Sequence, residues 1–162
     1  MSRSSAAERR LWPAMVVAAT CVLTPSAACA VTCTVSTLPA KFGVYNPLQA
    51  TPTSTTGEID VACTCSVVDC VAFYYRVELS AGSSGNAAAR QMRSGSASLR
   101  YNLYSDPSYT SVWGTGSAGY SPLYLLALFG SKQDLTVYGR MPAGQMVTPA
   151  SYSDAPVVTI FY

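Results

Sequence analysis

An all-β antiparallel sandwich or barrel is the architecture this sequence predicts. Apolar residues recur with a period of two nearly throughout the chain. Short β-prone runs, roughly 8–15 residues apart, are separated by turn residues, with 11 Gly and 10 Pro in 162 positions. No strand alternates with a helical pattern in the way a parallel sheet requires. Only 11% of residues are charged while 49% are hydrophobic, so a disordered tail and a coiled coil are both excluded.

The first thirty residues read as an export signal. Arg9 and Arg10 form a positive start, and residues 11–23 (LWPAMVVAATCVL) an apolar stretch too short to span a bilayer. Ala28 and Ala30 then stand at the −3 and −1 positions of a small-residue cleavage site, so the mature domain is expected to cover 31–162. Arg3, Arg9 and Arg10 against Glu8 account for the net charge of +2. The remainder balances seven basic against seven acidic residues and carries no signal for nucleic acid or anionic membranes.

Residues 32–36 (TCTVS) alternate and are β-branched, the pattern of a short strand. Residues 41–45 (KFGVY) read as a second, followed by a Pro-, Thr- and Ser-rich turn over 46–57. Residues 58–63 (EIDVAC) put Ile59 and Val61 on one face. The strongest strand is 71–79, with Phe73, Tyr75, Val77 and Leu79 inward and Tyr74, Arg76 and Glu78 outward. Residues 80–98 are rich in Gly, Ser and Ala and read as a loop, with one helical turn over 88–92 and Arg90 and Arg93 at a solvated edge. Residues 99–104 (LRYNLY) alternate again, 106–109 form a turn, and 111–114 a short strand. The run 123–129 (LYLLALF) is a strand buried on both faces, and 135–140 (LTVYGR) follows. The last segment, 157–162 (VVTIFY), is apolar, uncharged and β-prone; no residues remain to pair with it, which leaves an exposed edge.

Export makes disulfides the natural state of Cys33, Cys63, Cys65 and Cys70, because their spacing does not supply the two C-x2-C knuckles of a zinc site. Three connectivities exist. Cys63 and Cys65 share a strand face, so a bond between them is strained, and Cys33–Cys63 with Cys65–Cys70 is favoured. The chain has no His, which removes Ser-His-Asp and Cys-His catalysis and imidazole metal sites. No G-K-[ST] occurs, and the Glu58/Asp60 pair reads as a solvated strand face, so no enzyme, cofactor or metal is expected.

The blocks C-T-V-S (33–36), F-G-V-Y-N-P-L (42–48), G-E-I-D-V-A-C (57–63), Y-N-L-Y-S-D (101–106), V-W-G (112–114), V-Y-G-R-M-P-A-G-Q (137–145) and S-Y-S-D (151–154), in this order, resemble the spore coat U domain family, which includes Csu-type pilins of archaic chaperone–usher systems. The resemblance covers essentially all of 31–162. It implies an immunoglobulin-like sandwich missing its final strand, whose groove accepts a strand from a periplasmic chaperone and then one from the next subunit, a form of β-augmentation. It also implies an outer-membrane usher as partner and a disulfide on Cys33 and Cys63. The groove is expected to involve Thr34 and Val35 of the first strand and Val158, Ile160 and Tyr162 of the last, the inward parity of the latter left open by Pro156. A donor segment needs roughly ten or more residues ahead of the first strand, whereas cleavage after Ala30 leaves only Val31 and Thr32 before Cys33. The expected function is therefore a structural pilus subunit serving adhesion and biofilm formation, terminal or minor in position. The alternative is an unpolymerised secreted binding module, with Tyr120, Leu123, Tyr124 and Leu125 as a surface-binding loop after the glycine-rich stretch 114–119.

Overall fold

The structure is a computed structural model. It describes residues 31–64, 73–117, 119–126 and 131–162, with Phe73, Leu125, Leu126 and Ser131 defined by their backbone alone. The expected export signal, Cys65 and Cys70 lie outside the described residues. Among the described residues nine strands follow in order: β1 (Thr32–Leu38), β2 (Thr53–Thr64), β3 (Phe73–Leu79), β4 (Gln91–Ser94), β5 (Ala97–Arg100), β6 (Asn102–Tyr104), β7 (Leu123–Leu126), β8 (Ser131–Met141) and β9 (Val158–Phe161). They form a four-stranded sheet β1-β2-β8-β6, a three-stranded sheet β7-β3-β9 and the β4-β5 hairpin, and every strand pair is antiparallel.

The two sheets bury one face each against the other. Ile59, Val61 and Cys63 of β2, Leu135 and Val137 of β8, and Tyr75, Val77 and Leu79 of β3 alternate into one core. Trp113 is 1% exposed and donates its indole N–H to the Val77 carbonyl at 2.9 Å, so the sole tryptophan of the domain is a core residue. Cys33 and Cys63 stand directly opposite in the β1–β2 register and are disulfide-bonded.

Several expectations need correction. Residues 41–45 form no strand; the chain leaves the sheet after Leu38 and runs irregularly. Strand β2 starts at Thr53, inside the segment read as a turn, because β8 supplies it with a partner as far as Met141. Within 80–98, two short 3-10 turns (Gly82–Ser84 and Ala87–Ala89) lead into the β4-β5 hairpin, closed by Gly95 at φ 56°. The helical turn is thus confined to 87–89. Residues 111–114 make only single bridges, Val112 to Tyr104 and Trp113 to Tyr120. Arg90, read as part of a solvated loop edge, is completely buried.

Candidate functional site: an open groove between the sheets

Gly57 determines where the groove begins. The pairing of β1 with β2 ends at Leu38–Glu58, and a Cβ on the next β2 residue, Gly57, would lie 2.8 Å from the Leu38 carbonyl oxygen and 2.9 Å from the Ala40 nitrogen. Only glycine lets the chain pass this close. Residues 37–47 therefore cross the edge of the sandwich as one wall. Phe42 turns inward beside Gly139, where a Cβ would meet its ring at 2.9 Å, and packs edge-to-face on Tyr101 at 5.8 Å. Tyr45 anchors the far end of the wall, its hydroxyl donating to the Pro142 carbonyl at 3.0 Å and accepting from the Gln145 N–H at 2.8 Å. The Gln145 side chain mimics a strand partner for Arg100, accepting its N–H and donating to its carbonyl, both at 2.8 Å.

The opposite wall is the segment 147–158, irregular until it joins β9. Ser153 pairs with Arg93 of β4 through two backbone bonds. Asp154 accepts from the Ser83 N–H at 2.8 Å and from the Tyr101 hydroxyl at 2.8 Å, fitting against Gly82, which has φ 63° and no room for a Cβ. Burial, with this bond and the Asp154 charge behind it, pushes the Tyr101 phenol far above its ordinary value.

Between these walls lie two connected cavities of about 640 and 330 Å³, sharing Ala40, Phe42, Met92 and Asp154. Their floor is the hydrophobic core itself: Ile59, Leu79, Leu103 and Val137 under the smaller, Leu99 and Met141 under the larger. Strand β9 borders the opening. It pairs with β3 on one side and, among the described residues, with no strand on the other. The arrangement offers main-chain donors and acceptors beside an apolar trough, the two requirements for taking up an extended segment.

The expected groove residues divide by parity. Val158 lines the smaller cavity, and Ile160, two residues on, packs against the core. Val35 faces the same way as Val61 opposite, yet remains 43% exposed because nothing covers it. Thr34 stands on the outward face of β1 and donates its hydroxyl to the Ala62 carbonyl. Tyr162 is exposed beyond the end of β9. In the expected surface loop, Tyr120 and Leu123 are exposed, whereas Tyr124 stacks on Tyr75 at 5.4 Å and burial pushes its phenol up to about 12. The Leu125 side chain lies outside the described residues. Residues 37–47 and 147–157 are walls that strand periodicity does not mark, and Gly57, expected at the end of a turn, lies inside β2 where the crossing wall passes it.

Residues 17–159 match the family described as the Spore Coat Protein U domain. The chain belongs to this family. The match starts within the stretch expected as an export signal. A further spore coat U relative, Protein U of Myxococcus xanthus, is 30% identical over 129 residues, which cover 75% of this chain and 70% of that protein. Among solved structures, the spore coat U fold here is similar to a chain in the CsuC–CsuE chaperone–tip adhesion subunit pre-assembly complex from the archaic chaperone–usher Csu pili of Acinetobacter baumannii. The TM-score is 0.52 and the identity 20%, over 82% of this chain and 40% of that one, so this chain spans less than half of its length. The family and the likeness agree with the all-β architecture, and no helix among the described residues is long and apolar enough to cross a membrane.

Proposed function

We propose that this protein is a non-enzymatic, exported structural subunit of a chaperone–usher surface fibre, and that the groove between residues 37–47 and 147–158 is where it takes a strand from another chain. The observation that carries this reading is the apolar floor laid open beside the unpaired edge of β9. The floor residues themselves are already buried, but the trough above them is open, and an inserted strand would cover its apolar lining while satisfying the β9 backbone. Its occupants are a periplasmic chaperone during export and a neighbouring subunit in the fibre, with an outer-membrane usher directing the exchange. The groove includes Val35, Val158, Ile160 and the segment at Tyr162, with the neighbouring Thr34 on the outward face of β1. Cleavage after Ala30 leaves no donor segment ahead of Cys33, so the subunit is terminal or minor, and the fibre serves adhesion and biofilm formation. The Cys65–Cys70 bond completes the disulfide set.

The reading is tested on native surface material run on an SDS gel with and without boiling and probed for this chain. Assemblies that survive unheated SDS and collapse on boiling to one band of mature size support it. A monomer band in both lanes overturns it in favour of a free binding module, for which exposed Tyr120 and Leu123 would be the contact surface. N-terminal sequencing of that band separately tests the cleavage site and the terminal position that depends on it.

A further inference from the structure

On the outward face of the four-stranded sheet, away from both cavities, two of the sequence blocks lie side by side. Antiparallel pairing of β6 with β8 sets Tyr104 opposite Tyr138 and Asn102 opposite Arg140, so Tyr138 and Arg140 project from one face two residues apart. The loop after β6 folds back over Tyr104 and Arg140. Asp106 accepts from the backbone N–H groups of Thr110 and Ser111, the latter at 2.6 Å, and from the Thr110 hydroxyl at 3.0 Å. This loop holds Tyr109 at φ 58°, the one left-handed non-glycine residue described. Its ring meets Tyr104 edge-on at 5.5 Å and lies 5.0 Å beneath the Arg140 guanidinium.

The polar ends of this cluster are unspent. Arg140 has no carboxylate within ion-pair distance, and the hydroxyls of Tyr104, Tyr109 and Tyr138 have no hydrogen-bond partner, in each case among the described residues. Asp106 is turned to its own loop, so it does not neutralise the guanidinium. All four side chains are half-buried, with part of each in solvent. We propose that Tyr104, Tyr109, Tyr138 and Arg140 form a binding site for an acidic saccharide. The planar guanidinium pairs in bidentate fashion with a sugar carboxylate. The tyrosine rings provide flat contact for the pyranose, and their hydroxyls donate to and accept from its own. The strained Tyr109 backbone, fixed by Asp106, orients the ring before ligand arrives, which lowers the ordering cost of binding.

The test titrates the purified protein, its tyrosines ring-labelled with 13C, with trigalacturonic acid, the neutral trisaccharide cellotriose, and sodium phosphate. The expected result is saturable binding of trigalacturonic acid that shifts the Tyr104, Tyr109 and Tyr138 ring signals. Cellotriose should bind at least tenfold more weakly, equimolar phosphate should fail to compete, and Arg140→Gln should weaken trigalacturonate binding at least tenfold with an unchanged melting curve. Absence of saturation, shifts confined to other tyrosines, undiminished binding by Arg140→Gln, or equal competition by phosphate each overturns the proposal. Should Arg140→Gln not fold, the ring shifts and the phosphate competition in the parent protein decide alone. The site shares no residue with the groove, so neither outcome bears on strand uptake.

Discussion

Arg90 has no solvent exposure and, among the described residues, no ion-pair partner, and its guanidinium fans out instead to main-chain carbonyls. It donates to Leu79, Ser80, Ala87 and Trp113 carbonyl oxygens and to the Asn102 side chain, at 2.7–3.1 Å. Four chain segments thus end on one side chain. Burial draws its pKa below the ordinary arginine value, opposed by Tyr101 and Asp154 nearby, but an arginine stays charged. Arg90→Met would orphan these acceptors at about 1–3 kcal/mol apiece before relaxation, and we expect a net loss of about 3–5 kcal/mol in urea unfolding. A loss below about 0.5 kcal/mol would mean that water replaces the guanidinium. Nothing in the sequence marked this role, since an arginine in a Gly-Ser-Ala stretch looks solvated and its partners are carbonyls up to 23 positions away. The inward set Tyr75, Val77 and Leu79 was legible because period two alone dictates it. Tyr124 gives a pH prediction at the same scale. Its folded pKa, about 12, exceeds the ordinary 10.0, so its neutral form contributes stability present in full below pH 10 and lost as pH rises toward 12. The melting temperature should fall across that window, and less steeply in Tyr124→Phe.

Strand β2 is the element on which the others are registered. It pairs with β1 over seven positions and with β8 over eleven, and its glycine releases the crossing wall. Gly57→Val would drive a side chain into the backbone at Leu38 and Ala40. We expect a loss of about 1–3 kcal/mol and a loosened wall, read as faster amide exchange across residues 38–45. Unchanged exchange there would show that the crossing does not depend on the glycine. The Cys33–Cys63 bond closes a separation of 30 residues, so Cys33→Ser should lower stability by about 3–4 kcal/mol, checked against reduction of the parent protein. At this scale the sequence patterns for β2, β3 and β9 were readable as strands. Residues 41–45 were not, because their apolar KFGVY run reads as a strand, whereas the segment is an irregular wall that packs Phe42 and Tyr45 against the core and leaves Val44 96% exposed. The parity of β9 needed its register with β3: Val77 opposite Ile160 turns Val158 and Ile160 inward, while Phe161 stays outside under the Arg76 guanidinium at 4.8 Å.

For the whole molecule, the proposed strand uptake predicts that an occupant of the groove packs against the inward face of β9. Ile160→Asp would put a carboxylate against the core, and we expect no accumulation of the variant in the periplasm, whereas Thr159→Lys, on the outward face of the same strand and opposite Glu78, should accumulate normally. Equal levels of the two, measured by immunoblot, would remove β9 from the binding surface. The apolar, uncharged run 157–162 was visible in the sequence as a strand; the groove's second wall was not, because 147–157 is held by Arg93, Ser83 and Tyr101, none of which is local to it. The disulfide has one more consequence, a mechanical one. Tension entering the chain ahead of Cys33 passes at the second residue of β1 straight through sulfur into β2, a strand gripped on both sides. The rest of β1 and the wall that follows lie beyond this covalent shunt, so a pull on that end of the molecule reaches the sheet interior before it reaches them.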